Sequence, residues 1–443
     1  MSSISLSQLL NIVADTGADL FRKSSTKKTT PAMLNSWCEE LLSAAGEASG
    51  ITLARQIVNG YATLPDKEKI KFFRFLNKNY EVDADEILKL ANDFHATHDA
   101  RSYTSLVSAV ESGRQEIFRR INQAPDGIST LVAMRRDLLH LKLEDPSLAL
   151  VENDLAHLLS SWFNKGFLTL RRIDWNTPAA ILEKVIQYES VHEIKDWRDL
   201  RGRLAADRMC FAFFHGNMPD EPIVFVEVAL VNGMSESIEA LIDRERRETN
   251  PAKADTAIFY SINNCHEGLI GIPFGSFLIK QVLLEIRAEF PKIRTFATLS
   301  PVPKFRKWLK ATLEDPQGCR VSDDERAVLK LLDKPGWNEN ETTAQQLSPI
   351  LLRLAARYFL NAKSGKEPYD PVARFHLRNG AKLARINWLA DRSSNGLRQS
   401  AGILVNYVYD PDEIVRNHEE YSVNQTIAAA PAIRKLARKQ AAR

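Results

Sequence analysis

The segment from Ala257 to Phe305 constrains the fold more than any other part of this chain of 443 residues. Its apolar and β-branched runs Ala257–Ile262 and Thr295–Leu299 predict two strands, and the amphipathic stretch between them predicts a helix over about Ser276–Glu289. A glycine-bearing loop separates the first strand from the helix. The order strand, loop, helix, strand predicts an α/β domain in which at least part of the sheet is parallel.

The loop between Gly268 and Gly275 has the features of a phosphate or pyrophosphate site. Its backbone N–H groups come just before a predicted helix N-terminus, whose dipole favours an anion. The glycines do not form GxGxxG and no Gly-Lys-Ser/Thr follows, so neither a Rossmann domain nor a P-loop is indicated. Glycine spacing alone leaves open an ordinary connection whose glycines only tolerate positive φ. Ser276 can cap the helix under either interpretation.

Three further residues, all of which follow the loop in the chain, are candidates for a catalytic role. Ser300 ends the second predicted strand and precedes Pro-Val-Pro, a rigid strand exit, but it lacks the Gly-x-Ser-x-Gly context of a hydrolase nucleophile. His376 lies in a polar run and can exchange a proton near neutral pH, although a lone histidine is more often structural. Tyr409 alternates with Tyr407 on the last predicted strand, Ile403–Tyr409, where core packing is the default role.

Other polar residues give weaker signals. Glu227 lies inside the predicted strand Ile223–Leu230, where it is either a charge on an edge strand or a buried carboxylate; we favour the edge strand. His95 and His98 are one helical turn apart, but the pattern offers no third metal ligand, which favours a solvated helix face.

Proline placement and hydrophobic period divide the chain. Residues 1–165 contain 4 of the 19 prolines, namely Pro31, Pro65, Pro125 and Pro146, and helical periodicity lies between them. We therefore predict an all-α helical bundle domain over residues 1–165. After Gly166 short β-branched runs alternate with helical stretches, which predicts an α/β or α+β domain over residues 166–443. The stretch of about 314–364 is again helical and predicts an insertion.

Composition narrows the partners and the compartment. A net charge of +3 is too small to indicate nucleic acid or an anionic membrane as a partner, and no apolar run approaches the length of a membrane span. The four cysteines have no CxxC spacing, so we expect neither disulfides nor a zinc site. The first residues resemble neither a secretory signal nor a transit peptide. By elimination we expect a cytoplasmic protein.

Several long collinear blocks resemble the malonyl-CoA decarboxylase family. They occur in the order of the family between about Gly166 and Asp410, and one further block crosses the predicted domain junction. The blocks are Leu159–Ile173, His215–Leu230, Ala257–Lys280, Phe296–Phe305, Ala373–Asp391 and Ser400–Asp410. Such blocks are far more specific than the glycine spacing.

The resemblance implies a fold and a set of site residues. It implies a helical N-terminal domain that makes oligomer contacts and a catalytic domain of the GNAT acyltransferase type. The family's catalytic serine, histidine and tyrosine fall on Ser300, His376 and Tyr409. The loop that binds the CoA pyrophosphate falls on Ile270, Gly271, Ile272, Pro273, Phe274, Gly275 and Ser276. Some relatives carry a carboxylate where this chain has Pro273, so a loop acid is not essential here.

The implied reaction is decarboxylation of malonyl-CoA to acetyl-CoA and CO₂. The thioester carbonyl accepts the electrons released by CO₂, so we expect no cofactor beyond the CoA moiety, no metal and no biotin. We expect malonyl-CoA and acetyl-CoA as partners, together with a homo-oligomer, dimer or tetramer, through the helical domain. The alternatives are a GNAT-type acyl-CoA-dependent acyltransferase and a CoA-sensing scaffold without turnover. Whether Ser300 or His376 donates the proton stays open at this point.

Overall fold

The structure is a computed structural model that describes residues 28–272, 275–314 and 321–438. The chain forms two compact units. The first comprises Met1–Thr169, Phe214–Ile223 and Asn264–Phe274, and the second comprises Leu170–Phe213, Val224–Asn263 and Gly275–Arg443. The predicted domain boundary at residues 165 and 166 stays a prediction.

Helices build the first unit. They are Pro31–Ser43, Glu47–Thr63, Asp66–Asn79, Ala84–Thr97, Ala100–Val110, Gly113–Ile121, Gly127–Leu141 and Ala149–Trp162. Side chains one turn apart on these helices are buried together, as for Phe72, Phe73 and Leu76. Polar caps such as Asp83 and Asp99 accept hydrogen bonds from the first free N–H groups of the helices that follow them. The predicted all-helical N-terminal region is confirmed.

Eight strands form one mixed sheet, and two more form a small ribbon. The strands are β1 Leu168–Ile173, β2 Arg208–His215, β3 Met218–Val231, β4 Thr256–Asn264, β5 Thr295–Thr298, β6 Ser300–Pro301, β7 Lys363–Ser364, β8 Glu367–Pro368, β9 Lys382–Asn387 and β10 Leu404–Val408. The order in the sheet is β1-β2-β3-β4-β5-β10-β6, and β9 also pairs with β10; β7 pairs with β8. The predicted mixed α/β domain is thereby confirmed.

The strand–helix–strand crossover predicted for the segment from Ala257 to Phe305 is present. β4 and β5 are parallel over four residue pairs, from Thr256 opposite Thr295 to Phe259 opposite Thr298. Their pairing ends where the Leu299 N–H donates to the Phe259 carbonyl at 3.0 Å. Beyond that point β6 pairs with β10. The two halves of the crossover therefore diverge just where Ser300 begins.

The remaining helices belong to the second unit. They are Ala179–Tyr188, Trp197–Arg203, Glu239–Ile242, Gly275–Glu289, Phe305–Glu314, Asp323–Leu329, Glu341–Asn361, Pro371–Arg378, Ser394–Ser400, Ile414–Asn424 and Pro431–Arg438. Three of them, Phe305–Glu314, Asp323–Leu329 and Glu341–Asn361, lie between β6 and β7 in the chain, and the insertion over about 314–364 stays a prediction. A hydrophobic core cluster contains apolar residues of β3, β4, β5 and β10, and also Leu299 between β5 and β6. Ile258, Ala297 and Leu404 of this cluster are fully buried.

One helix is much shorter than the helical periodicity of its sequence predicts. The stretch 235–246 has helical periodicity, but the helix covers only Glu239–Ile242. The carbonyl groups of Met234 and Ser235 accept hydrogen bonds from the Arg385 guanidinium instead, at 2.9 and 3.0 Å. Tertiary hydrogen bonds thus replace the helical bonds that these carbonyls would have accepted.

The position favoured for Glu227 is wrong. β3 lies between β2 and β4, and the Glu227 carboxylate is fully buried. Arg203, also buried, donates to Glu227 Oε2 at 2.9 Å. The sequence does not show strand order, and the compensating cation lies 24 residues away on the helix Trp197–Arg203.

Membrane-spanning helices and metal-binding groups are both absent from the described residues. In them no helix is long and apolar enough to cross a membrane. Within the same ranges no group of three or more His, Cys, Asp or Glu residues is arranged to hold a metal ion. The rings of His95 and His98 lie 5.9 Å apart on the helix surface.

Candidate active site

Ser300 lies where the parallel pairing of the crossover ends. It is 5% exposed and sits two residues after Thr298, so the two side chains share one face of the chain. The Ser300 hydroxyl donates to Thr298 Oγ1 at 2.8 Å, and the same Thr298 oxygen accepts the N–H of Tyr407 at 3.2 Å. The serine hydroxyl is therefore held from one side by a strand neighbour.

His376 reaches Ser300 from the helix Pro371–Arg378. Asp370 caps this helix, because its Oδ1 accepts the N–H groups of Val372 and Ala373 at 2.9 Å each, and a proline occupies the first helical position. His376 lies on the buried face of the helix, with Nε2 2.9 Å from Ser300 Oγ. The two residues are 76 positions apart in the chain, and only the fold brings them together.

Tyr409 completes the chain of hydrogen bonds. Its backbone N–H donates to the Phe296 carbonyl at 2.8 Å, which fixes the residue beside β5. Its hydroxyl lies 2.7 Å from Nδ1 of His376, and the side chain is fully buried. Burial raises the pKa of the Tyr409 phenol well above its ordinary value, so the phenol keeps its proton.

Tyr407 holds the plane of the imidazole. Its ring stacks on His376 with centroids 4.5 Å apart and an interplanar angle of 25°. Core packing is the role that the sequence predicts for Tyr407, and the stacking on His376 is a further, specific contact. The imidazole is thus held at both nitrogens and on one face, which leaves it little freedom to rotate.

The His376 imidazole is neutral in the free protein. Complete burial lowers its pKa from 6.5 to about 3. Within the described residues its ring nitrogens bond only to Ser300 and Tyr409, and neither is a carboxylate that would favour the imidazolium. A neutral imidazole carries one N–H. Since the Ser300 proton goes to Thr298, we assign that N–H to Nε2, with Tyr409 donating to Nδ1.

The three predicted catalytic residues therefore meet in one buried hydrogen-bond chain that runs from Tyr409 through His376 to Ser300. Two further residues that position this hydrogen-bond chain were not identified from the sequence. Thr298 could have been found from its spacing of two from Ser300 on a strand, and Asp370 from the Asp-Pro pair that starts a helix. Neither signal carries chemistry by itself.

The predicted CoA loop is described only in part. Ile270 is half-exposed, Gly271 has φ of +84° and Ile272 is buried. Pro273 and Phe274 lie outside the described residues. Gly275 and Ser276 belong to the helix Gly275–Glu289, which starts one residue earlier than predicted. Their role in binding CoA stays a prediction.

Comparisons with known proteins agree with this architecture. Residues 166–443 match the family model of the malonyl-CoA decarboxylase C-terminal domain, and residues 80–163 match that of the N-terminal domain. A malonyl-CoA decarboxylase structure from Rhodopseudomonas palustris is 48% identical with a TM-score of 0.88, over 92% of this chain and 99% of that one. One from Agrobacterium vitis is 45% identical with a TM-score of 0.87, over 92% and 100%. The mitochondrial malonyl-CoA decarboxylase of Rattus norvegicus is 36% identical over 72% of this chain and 70% of the rat protein.

A helical N-terminal region, a mixed sheet with a parallel crossover, and a buried serine–histidine pair where the parallel pairing ends define the class: an α/β protein with a helical N-terminal region and a candidate active site. Both family models and the solved structures specify the class further. The chain belongs to the malonyl-CoA decarboxylase family.

Proposed function

We propose that this chain decarboxylates malonyl-CoA to acetyl-CoA and CO₂. One observation carries the proposal: in a member of this family, Ser300, His376 and Tyr409 form a single buried hydrogen-bond chain. The reaction needs a preorganised donor and a proton source near one carbon atom, and this chain of polar groups provides both.

The first task is to stabilise negative charge on the thioester oxygen. When CO₂ leaves, its bonding electrons move into the thioester and form an enolate. A hydrogen-bond donor fixed at the enolate oxygen is worth about 3–4 kcal/mol in such sites. The Ser300 hydroxyl, already oriented by Thr298 and His376, is well suited to turn its proton toward this oxygen or toward the departing carboxylate.

The second task is to protonate the α-carbon. The malonyl carboxylate is an anion, and an anion close to a buried imidazole raises its pKa. Substrate binding therefore favours uptake of a proton by His376, whose Nε2–H then reaches the carbanion formed when CO₂ departs. Tyr409 supports both protonation states, because a phenol donates to a bare Nδ1 and accepts from a protonated one. His376 is the donor in this scheme, and Ser300 binds the oxygen.

The remainder of the substrate needs a place for its pyrophosphate. We assign this role to the backbone of 270–276, ahead of the helix Gly275–Glu289, on the strength of the loop's position in the crossover and the helix dipole. The proposed chemistry uses the thioester itself as the electron acceptor, and it therefore calls for no metal and no biotin.

Incubation of the purified protein with malonyl-CoA tests the proposal. We expect CO₂ and acetyl-CoA in equal amounts without any added amine, whereas an acyltransferase would require the amine. His376→Ala should lower kcat about 10²–10⁴-fold, the usual contribution of general acid–base catalysis, with CoA affinity unchanged. Near-normal turnover by this variant would contradict the assigned role of His376.

Assembly and location complete the proposal. We infer a homo-oligomer, a dimer or tetramer, formed through the helical region of residues 1–165, and light scattering after size-exclusion chromatography measures it directly. We also propose a cytoplasmic location, although the rat relative is named mitochondrial. Cell fractionation with the native chain decides between these compartments.

A further inference from the structure

The helix Gly127–Leu141 packs directly against the segment that leads into the glycine loop. Both belong to the first compact unit. Gly268 makes this contact possible, because a Cβ at this position would overlap the carbonyl oxygen of Val132. One turn further along the helix, Arg135 reaches over the same segment.

Arg135 is buried and makes an unusually complete set of hydrogen bonds. Its Nη1 donates to the carbonyl oxygens of Gly268 at 2.6 Å and Ile270 at 2.9 Å. Its Nε and Nη2 lie 3.0 and 2.9 Å from Glu152 Oε1. Lys142 binds the other oxygen of Glu152 at 2.8 Å. The guanidinium is thus fixed in place from behind while it holds two loop carbonyls in front.

These bonds determine where one amide points. The peptide bonds are trans, so the N–H of Gly271 points opposite to the Ile270 carbonyl that Arg135 holds. In the described part of the chain no acceptor is bonded to the Gly271 N–H. Gly271 is exposed and has φ of +84°, a region in which glycine lets the preceding peptide plane rotate easily. The bond from the Ile272 N–H to the Leu269 carbonyl, at 3.1 Å, closes the turn around this peptide but bonds neither its carbonyl nor its N–H. Among the described contacts only Arg135 bonds the Ile270 carbonyl and so fixes the direction of the plane.

We propose that Arg135 is a positioning residue for substrate binding: it fixes the peptide between Ile270 and Gly271 so that the Gly271 N–H is presented to the pyrophosphate of the CoA moiety. The inference rests on the proposed function, because it takes the loop as the CoA site. It adds that a residue of the helical region, 135 positions before the loop and without any role in the chemistry, sets affinity for the CoA portion of the substrate. Holding the two carbonyls also keeps their negative ends away from the anion.

Two substrates separate this role from general damage to the fold. Malonyl-CoA carries the pyrophosphate, whereas the malonyl thioester of N-acetylcysteamine carries the same reacting atoms without it. For Arg135→Met we expect KM for malonyl-CoA to rise about tenfold or more with kcat little changed, the pattern for loss of uniform binding. The kcat/KM for the short thioester should stay within about twofold of wild type.

Variants and controls keep the outcome decisive. Arg136→Met removes a neighbouring cation of the same helix that bonds Asp137, and it should leave both substrates unaffected. Arg135→Lys keeps the charge beside Glu152 but lacks the planar fork, so an intermediate KM is expected, and it serves if Arg135→Met fails to fold. Equal loss of kcat/KM for both substrates, or no change in KM for malonyl-CoA, overturns the proposal.

A direct binding measurement distinguishes failure of this inference from failure of the proposed function. Calorimetric titration with CoA needs no turnover. If the wild type binds CoA and Arg135→Met binds it about tenfold more weakly, a loss of about 1.4 kcal/mol, the inference holds even without decarboxylation. Equal affinities, or no CoA binding by the wild type, overturn it.

Discussion

At the residue scale, the phenol of Tyr409 is compatible with both protonation states of His376, and burial lowers the pKa of the imidazole so that it is neutral in the free protein. The phenol is bonded to Nδ1 at 2.7 Å in a site with no carboxylate among the described partners of the ring. An aspartate there would favour the imidazolium and raise the pKa of the ring. A phenol instead leaves the ring neutral until a substrate anion arrives, which suits a reaction that begins with a carboxylate and ends with protonation of carbon.

Removing this hydroxyl should therefore affect turnover. For Tyr409→Phe we expect kcat to fall about tenfold or more with KM little changed, and a destabilisation of about 1–3 kcal/mol from the unpaired buried Nδ1. Tyr407→Phe is the matched control, because it keeps the ring that stacks on His376 and bonds neither ring nitrogen. Steady-state kinetics on both variants check this; equal effects of the two would refute the role of the Tyr409 hydroxyl.

The buried pair of Arg203 and Glu227 has no place in the proposed chemistry and is expected to act on stability alone. Burial raises the pKa of Glu227 to about 8, although the Arg203 charge opposes this shift. Arg203→Met leaves a buried carboxyl without its cation and should cost about 3–5 kcal/mol in the free energy of unfolding. The double variant Arg203→Met with Glu227→Met should lose much less than the two single losses combined. Urea unfolding of all three variants measures the difference, and additive losses would contradict it.

At the element scale, the helix Pro371–Arg378 is short, and its first turn controls where His376 lies. Asp370 accepts two backbone N–H groups of that turn and also the hydroxyl of Tyr358 at 2.9 Å. A helix of 8 residues has little stability of its own, so the cap and the packing around it determine its position. The position of the His376 imidazole therefore depends on a carboxylate one turn and a half earlier in the chain.

Loss of this cap should displace the histidine. For Asp370→Ala we expect a destabilisation of about 1–2 kcal/mol and a clear fall in kcat. Asp370→Asn keeps an acceptor oxygen and is nearly as good a cap, so it should retain most of both quantities. Thermal unfolding and initial rates measure the two effects, and an Asp370→Ala enzyme with full kcat would show that the helix is positioned without its cap.

The sequence pattern predicts some strands and helices of this protein and does not predict others. The crossover from Ala257 to Leu299 was predictable because its strands are continuously apolar and its helix is amphipathic. β1 and β9 were missed, since half-exposed strands with residues such as Arg171 and Arg385 lack a clear alternation. The helix of His376 was also missed, because its 8 residues are too few for periodicity to register.

At the scale of the whole molecule, buried histidines make stability depend on pH. Burial lowers the pKa of His376 and of His192 to about 3 from 6.5, so the unfolded chain binds protons that the folded chain does not between these values. Stability from these groups is fully present above pH 6.5 and is lost as the pH falls toward 3. Glu227, with its pKa raised to about 8, acts in the opposite sense between pH 4.5 and 8.

A single variant isolates one of these contributions. Between pH 7.5 and pH 5 the neutral burial of His376 should cost about 2 kcal/mol of the free energy of unfolding. His376→Gln removes the titration, so its stability should fall less than that of wild type over the same interval, by about that amount. Chemical denaturation at both pH values tests this, and an unchanged pH dependence would place the His376 pKa near its ordinary value.

The sequence by itself determined the helical N-terminal region, the mixed α/β region and the family, because these follow from local periodicity and from long collinear blocks. It also singled out Ser300, His376 and Tyr409, but only as separate candidates. Tertiary structure decided that they share one hydrogen-bond chain, that Glu227 is buried against Arg203, and that Arg135 holds the loop carbonyls. The physical reason is the same in each case: residues 24 to 135 positions apart meet only when the sheet order and the packing of helices are set.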